Sequence, residues 1–278
     1  MAAPPRRSGA APTWLDSFVL HRYDWSESSL ILELFTRERG RLAVIAKGAK
    51  RPHSQLRTVL MPFQRSQVLL ARSPADDQGE IHLLRQAEWV GGGPVMPPAS
   101  LFQGFYLNEL LMKLLARNDA HPALFDAYLA TLPALAHGDE LLAQAGLRAF
   151  ELRILVETGV LPDLGLTTLG HQPLDPAGRY ALRPEVGVLP AADDTAALLG
   201  SELLRLQAAI ETPSMPGLQS ACASCLPALR PMLRQWLHYH LGSSTLRTRE
   251  VMHSVQRLLE PAPNRPAPDA PSTRRVPR

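Results

Sequence analysis

Residues 28–57 read SSLILELFTRERGRLAVIAKGAKRPHSQLR. Two strand-like runs, 28–36 and 41–47, flank the tight polar turn Glu38-Arg39-Gly40, where Gly40 is free to take positive φ. Cations crowd the turn, the second run and the loop that follows. Seven lysines and arginines (Arg37, Arg39, Arg41, Lys47, Lys50, Arg51 and Arg57) face one acid, Glu38, in a chain whose formal net charge is only +3. The basicity is therefore concentrated rather than spread. A concentrated basic face on a small β-sheet points to a polyanion, most commonly nucleic acid. The competing reading is that these charges solvate a loop.

Working outward, 17–25, 63–72 and 81–90 are also of strand length and rich in β-branched and aromatic residues. The last two are joined by Ser-Pro-Ala-Asp-Asp-Gln-Gly at 73–79, a turn composition. Five short strands with a basic loop after the third match a barrel of the OB type. The run Gly91-Gly92-Gly93-Pro94, then Pro97-Pro98, breaks this pattern. From there Leu101, Phe105, Asn108, Leu111, Met112 and Leu115 recur at helical spacing. Residues 122–136 and 140–158 continue as helices, the latter stopped by Gly159. Residues 165–190 lose periodicity and read as an irregular hairpin. Asp193-Asp194-Thr195 then caps a helix to about 210; 219–241 is helical with Pro227 and Pro231 forcing a late start or a kink; Thr248 caps a last helix to 259.

The expected fold is α+β with two domains. A disordered arm (1–12) precedes a five-stranded OB-type barrel (13–90). A linker (91–99), a mostly α-helical domain (100–260) and a disordered Pro-rich tail (261–278) follow.

Several function classes are excluded. No run approaches the roughly 18–20 apolar residues of a membrane span. MAAPPRRSGAAP at the start lacks an apolar secretory core. Two cysteines in 278 residues argue against a disulfide framework and fit a reducing cytoplasm. G-x-x-x-x-G-K-[ST], G-x-S-x-G and H-E-x-x-H are all absent, so the reading is a binding protein, not an enzyme. Cys222-x-x-Cys225 has no second cysteine pair to complete a zinc site and sits in a helical stretch; the spacing puts both thiols on one packed face. No metal or cofactor is expected.

Several stretches, in order, resemble the RecO family of bacterial recombination mediators. They are W-x3-F-V-L-H-x3-W-S-E-x-S-L from Trp14 to Leu30; Phe35-Thr36; Gly40-Arg41; and Ala46-Lys47-Gly48-Ala49. Further on come Tyr106-Leu107-Asn108-Glu109-Leu110-Leu111, Leu147-Arg148-x-Phe150-Glu151-Leu152 and Leu246-Arg247-x-Arg249-Glu250. The match runs from about 14 to 258. The resemblance implies an OB domain followed by a helical domain, and binding to single- and double-stranded DNA. It implies annealing of strands coated with single-stranded-DNA-binding protein and, with RecR, assistance in loading RecA in a cytoplasmic, nucleoid-associated setting. It also implies a groove in the helical domain for the acidic, apolar-ended tail of single-stranded-DNA-binding protein, with Arg148 carried over and Arg153 a nearby candidate. Arg148 paired with Glu151 on its own helix is the competing reading. Many relatives hold zinc on four cysteines in the region corresponding to 165–190. This sequence has none there, and His171 alone cannot hold a metal.

On this reading the barrel places all seven cations near one mouth, and binding falls steeply with salt as counterions are released. The cluster itself contains no aromatic residue apart from His53. Stacking would have to come from Phe35, Trp25 or Tyr23, so backbone-dominated, sequence-tolerant binding is expected. Arg205, Arg230, Arg234, Arg247, Arg249 and Arg257 offer a second cationic surface or an ordinary solvated face. The alternative function is an OB-fold RNA-binding factor without annealing activity.

Overall fold

Strand β1 (Trp14–Asp24) hydrogen-bonds on both of its edges, to β2 (Leu30–Thr36) and to β4 (Ser66–Leu70). Strand β3 (Gly40–Ala46) pairs antiparallel with β2 and parallel with β5 (Ile81–Trp89), and β5 returns antiparallel to β4. In this computed structural model the order β1-β2-β3-β5-β4 closes into a barrel of the OB type, which leaves no free sheet edge. The residues described are 13–71, 81–191, 197–242 and 246–259. The expected arm, the 73–79 turn, the acidic cap at 193–195 and the tail all lie outside them.

Alternation fills the barrel. Leu32 and Leu34 of β2, Leu42 and Val44 of β3, and Val19, Val68 and Leu84 from the other strands form its interior with Leu60. Leu60 follows a short helix, α1 (Leu56–Val59), which interrupts the basic loop between β3 and β4.

The second half is helical. It contains α2 (Pro98–Leu114), α3 (Pro122–Ala136) and α4 (Glu140–Glu157). A three-stranded sheet follows, with β6 (Arg179–Arg183) between β7 (Gly187–Pro190) and β8 (Leu198–Leu199). Then come α5 (Gly200–Glu211), α6 (Met215–Ala223), α7 (Leu226–Leu241) and α8 (Arg247–Leu259). The irregular hairpin is thus the start of a small sheet. The helix expected after 195 begins at Gly200, because 198–199 are spent on β8. The expected 219–241 helix is two: α6 ends at Ala223, and α7 starts with a proline in its first turn, where the missing N–H costs nothing. Thr248 does not cap α8. Its N–H and hydroxyl donate to Glu109 of α2, whose carboxylate also accepts from the Arg247 N–H. A carboxylate suits this end of a helix, where unpaired donors and the positive end of the macrodipole coincide.

Outside its own interior, one flank of the barrel joins the core of the helices. Phe18 and Phe35 from β1 and β2 stack at tilted and edge-on angles against Phe125 and Tyr128 of α3, with centroids 4.9–6.4 Å apart. All four are fully buried, within a cluster that runs on through α2, α4 and α7. The pairing register of β1 slips between Val19 and His21. The Leu20 carbonyl accepts from Asn108 Nδ2 of α2 at 3.0 Å, and Asn108 Oδ1 accepts from the Tyr128 hydroxyl at 2.6 Å. The bulge is thereby satisfied from across the interface.

Candidate nucleic-acid interface

The structure does not bring the seven expected cations to one mouth. Strand β3 lies between them. Arg37 and Arg39 stand in the β2–β3 hairpin and Arg41 at the start of β3, whereas Lys47, Lys50, Arg51 and Arg57 follow its end. Seven residues of extended chain separate the two groups by about 20 Å.

At the hairpin end two of the three charges, Arg37 and Arg41, are engaged within the protein. Arg37 forms a two-pronged pair with Asp126 of α3, Nε to Oδ1 and Nη2 to Oδ2, each at 2.9 Å. Arg41 turns toward α2, where its Nη1 donates to the Met112 carbonyl at 2.7 Å and lies 3.9 Å from Glu33. Glu33 is only 2% exposed and also pairs with Arg117. Burial pulls the Arg41 guanidinium below its usual range, an effect that Glu33 partly offsets. Arg39 lines a separate depression with Glu38 and His82. Gly40 makes this seam possible. Its φ is +68°, and a Cβ placed there would lie 1.6 Å from the Asp119 carbonyl oxygen.

At the loop end the cations face outward. Lys47, Arg51 and Arg57 are exposed. Lys50 and Arg57 line an open cleft of about 660 Å3 with Arg22, Asp24, Leu30 and Met61. The Lys50 ammonium also braces the β1–β2 turn, donating to the Ser26 carbonyl at 3.0 Å and pairing with Asp24 at 3.1 Å. Arg22, which the sequence reading passed over, joins this rim. Its place on β1 opposite Leu32 of β2 becomes visible only once the register is known. Of the three aromatics considered for stacking, Phe35 is fully buried, while Tyr23 and Trp25 are 43% and 62% exposed.

The helical half carries a second cleft of about 380 Å3. It is lined by Phe102, Tyr106, Leu147, Leu237 and Met252 among others, with Arg148, Arg230, Arg234 and His238 supplying positive or polar groups. Arg148 is mostly buried on α4, and its Nη2 lies 2.6 Å from Oε1 of Glu151, which also accepts from the Tyr106 hydroxyl. Burial raises the Glu151 carboxyl, with Arg148 opposing that shift. Arg148 therefore both pairs along its helix and borders the cleft, and its buried Nε has no hydrogen-bond partner. Arg153 does not join it. Its guanidinium donates to the Ile210 and Thr212 carbonyls, at the end of α5. Arg205 donates to the Ser224 hydroxyl. The Arg249 side chain lies outside the described residues.

Both Cys222 and Cys225 are buried, and burial pushes their thiols up, Cys225 to about 11. They lie on α6 and at the start of α7, far in sequence from the 165–190 hairpin. That hairpin is closed by hydrogen bonds: Thr167 N–H to the Gln172 carbonyl, Thr168 N–H to the Val188 carbonyl, and Val188 N–H to the Thr168 hydroxyl. With no cysteine between 165 and 190, these residues do not fit the four-cysteine zinc site that the resemblance implied for this region. No helix among the described residues is long and apolar enough to cross a membrane.

Two family models match the chain: recombination protein O N terminal over residues 12–92, and recombination protein O C terminal over 99–250. The DNA repair protein RecO of Variovorax paradoxus is 48% identical over 252 residues, covering 87% of this chain and 96% of that protein. Those of Acidovorax ebreus and Verminephrobacter eiseniae are 46% and 48% identical, with the same coverage.

Proposed function

The chain belongs to the RecO family of DNA repair proteins, and from that membership together with the open cationic rim of its barrel we propose that it is a DNA-binding recombination mediator. Single- and double-stranded DNA run along the loop end of the barrel, over Lys47, Lys50, Arg51 and Arg57, with contacts to phosphate rather than to base edges. Annealing needs no bond chemistry and no catalytic group. Cations screen two phosphate backbones into proximity, and base pairing supplies the energy. The outward-facing cluster after β3 carries this reading, because its charges are not consumed by acids of the helical half.

Recruitment belongs to the second cleft. The apolar end of the tail of single-stranded-DNA-binding protein enters between Phe102, Leu147 and Leu237, and its carboxylates meet Arg148, Arg230 and Arg234. RecR is the further partner, and RecA the indirect beneficiary, in the cytoplasm. Arg153 has no part in this groove.

The test is annealing of complementary oligonucleotides, each coated with the cognate single-stranded-DNA-binding protein, across a salt series. Acceleration that declines with salt is the expected result. Binding without acceleration would remove the mediator reading and favour the RNA-binding alternative. Arg234→Ala should weaken binding of a tail peptide while leaving oligonucleotide affinity unchanged.

A further inference from the structure

Trp25 is among the most exposed large apolar side chains of the described residues, and its chain neighbour Asp24 lines the cationic cleft. It follows the end of β1, in the turn leading to β2. Its two neighbours, Asp24 and Ser26, are both bound by the same Lys50 ammonium, at 3.1 and 3.0 Å. The Lys50 N–H donates to the Ser28 carbonyl, and the Trp25 N–H to the Ser29 carbonyl. Four contacts thus fix the backbone that carries the indole, while the residue is 62% exposed. Asp24 and Lys50 also line the cationic cleft with Arg22 and Arg57. Left in water, the indole contributes little burial free energy to the fold, so its surface is free for a ligand. Tyr23, two residues back, is exposed as well and stacks edge-on against His21 at 4.4 Å.

We propose that Trp25 is a base-stacking residue, whose indole packs on an unpaired nucleobase while Lys50 and Arg57 hold the adjoining phosphates. The inference rests on the nucleic-acid reading of this rim and goes beyond it. It adds a contact that double-stranded DNA, with its bases already stacked, cannot make, and so gives the groove a preference for single strands. Stacking is sequence-tolerant because every base presents a π-face.

The experiment compares binding of the full-length protein to a 15-nucleotide oligothymidine and to an abasic strand of the same length. The phosphate count is the same and only the bases differ. One stacked base should make the wild type prefer oligothymidine by roughly five- to hundredfold. Trp25→Ala should lower that preference about threefold or more without changing the salt slope, and Trp25→Phe should retain it. A smaller fall in Trp25→Ala, or no preference in the wild type, overturns the assignment. Because the ring is solvent-facing, the variants should melt with the wild type, so lost preference is not lost fold. Lys47→Ala with Arg51→Ala and Arg57→Ala reads the groove separately. An unchanged salt slope there would sink the groove reading, whatever Trp25 does.

Discussion

The two ends of β3 carry arginines and lysines in similar numbers, three and four, yet the protein uses most of them in opposite ways. At the hairpin end, Arg37 meets Asp126 and Arg41 meets Glu33 and the Met112 carbonyl, all within the seam between barrel and helices. At the loop end, Lys47, Arg51 and Arg57 are exposed, and only Lys50 is tied down. What differs is the opposing surface, not the charges. α3 and the strand pair β2–β3 present carboxylates to one group, and solvent faces the other. Charge density along a chain is thus a poor guide to charge density on a surface. A strand of seven residues was enough to send one cluster to two destinations.

The sharpest way to break this contrast is at Gly40. Gly40→Ala forces a side chain into a left-handed backbone and onto the Asp119 carbonyl. It should cost about 3–4 kcal/mol in denaturant unfolding while leaving the folded protein's DNA affinity intact. A neutral Gly40→Ala would mean that the hairpin does not dock as described. The next effect belongs to the loop end. Lys47→Ala with Arg51→Ala and Arg57→Ala should weaken single-strand binding about tenfold or more at low salt and reduce the magnitude of the salt slope by about 2, with stability changed by less than about 0.5 kcal/mol. The smallest effect is expected from Arg37→Ala. Its pair with Asp126 is exposed on both sides, so neither the melting temperature nor the salt slope should move measurably. A slope change as large as that of the triple variant would return the hairpin end to the DNA path.

Five strands were legible in alternation and turn chemistry, within a few residues of their bounds, and Gly40 announced its own turn. Helices α3 and α4 were legible as continuous helical stretches, and α4 also in its stop at Gly159. The division of the cations was not, since it depends on Asp126 and the Met112 carbonyl, which approach β2 and β3 only through tertiary packing. The capping of α8 by Glu109 was hidden for the same reason: donor and acceptor are 138 and 139 positions apart. The bonds of Arg153 were equally hidden, because its nearness to Arg148 in sequence says nothing of the Ile210 and Thr212 carbonyls it reaches. The 165–190 segment looked irregular because β6 completes its sheet with a strand from beyond that window.

The aromatic seam also sets a timetable. The barrel strands are complete once Trp89 has been made, but Phe125 and Tyr128, which cover Phe18 and Phe35, follow roughly 40 residues later. At translation rates of about 5–20 residues per second, the nascent barrel spends some 2–8 s with two phenylalanines uncovered on its flank. For that interval the first half of the chain is a sticky, unfinished object. It should be protease-sensitive in ribosome-arrested chains ending before α3 and protected in chains that include it.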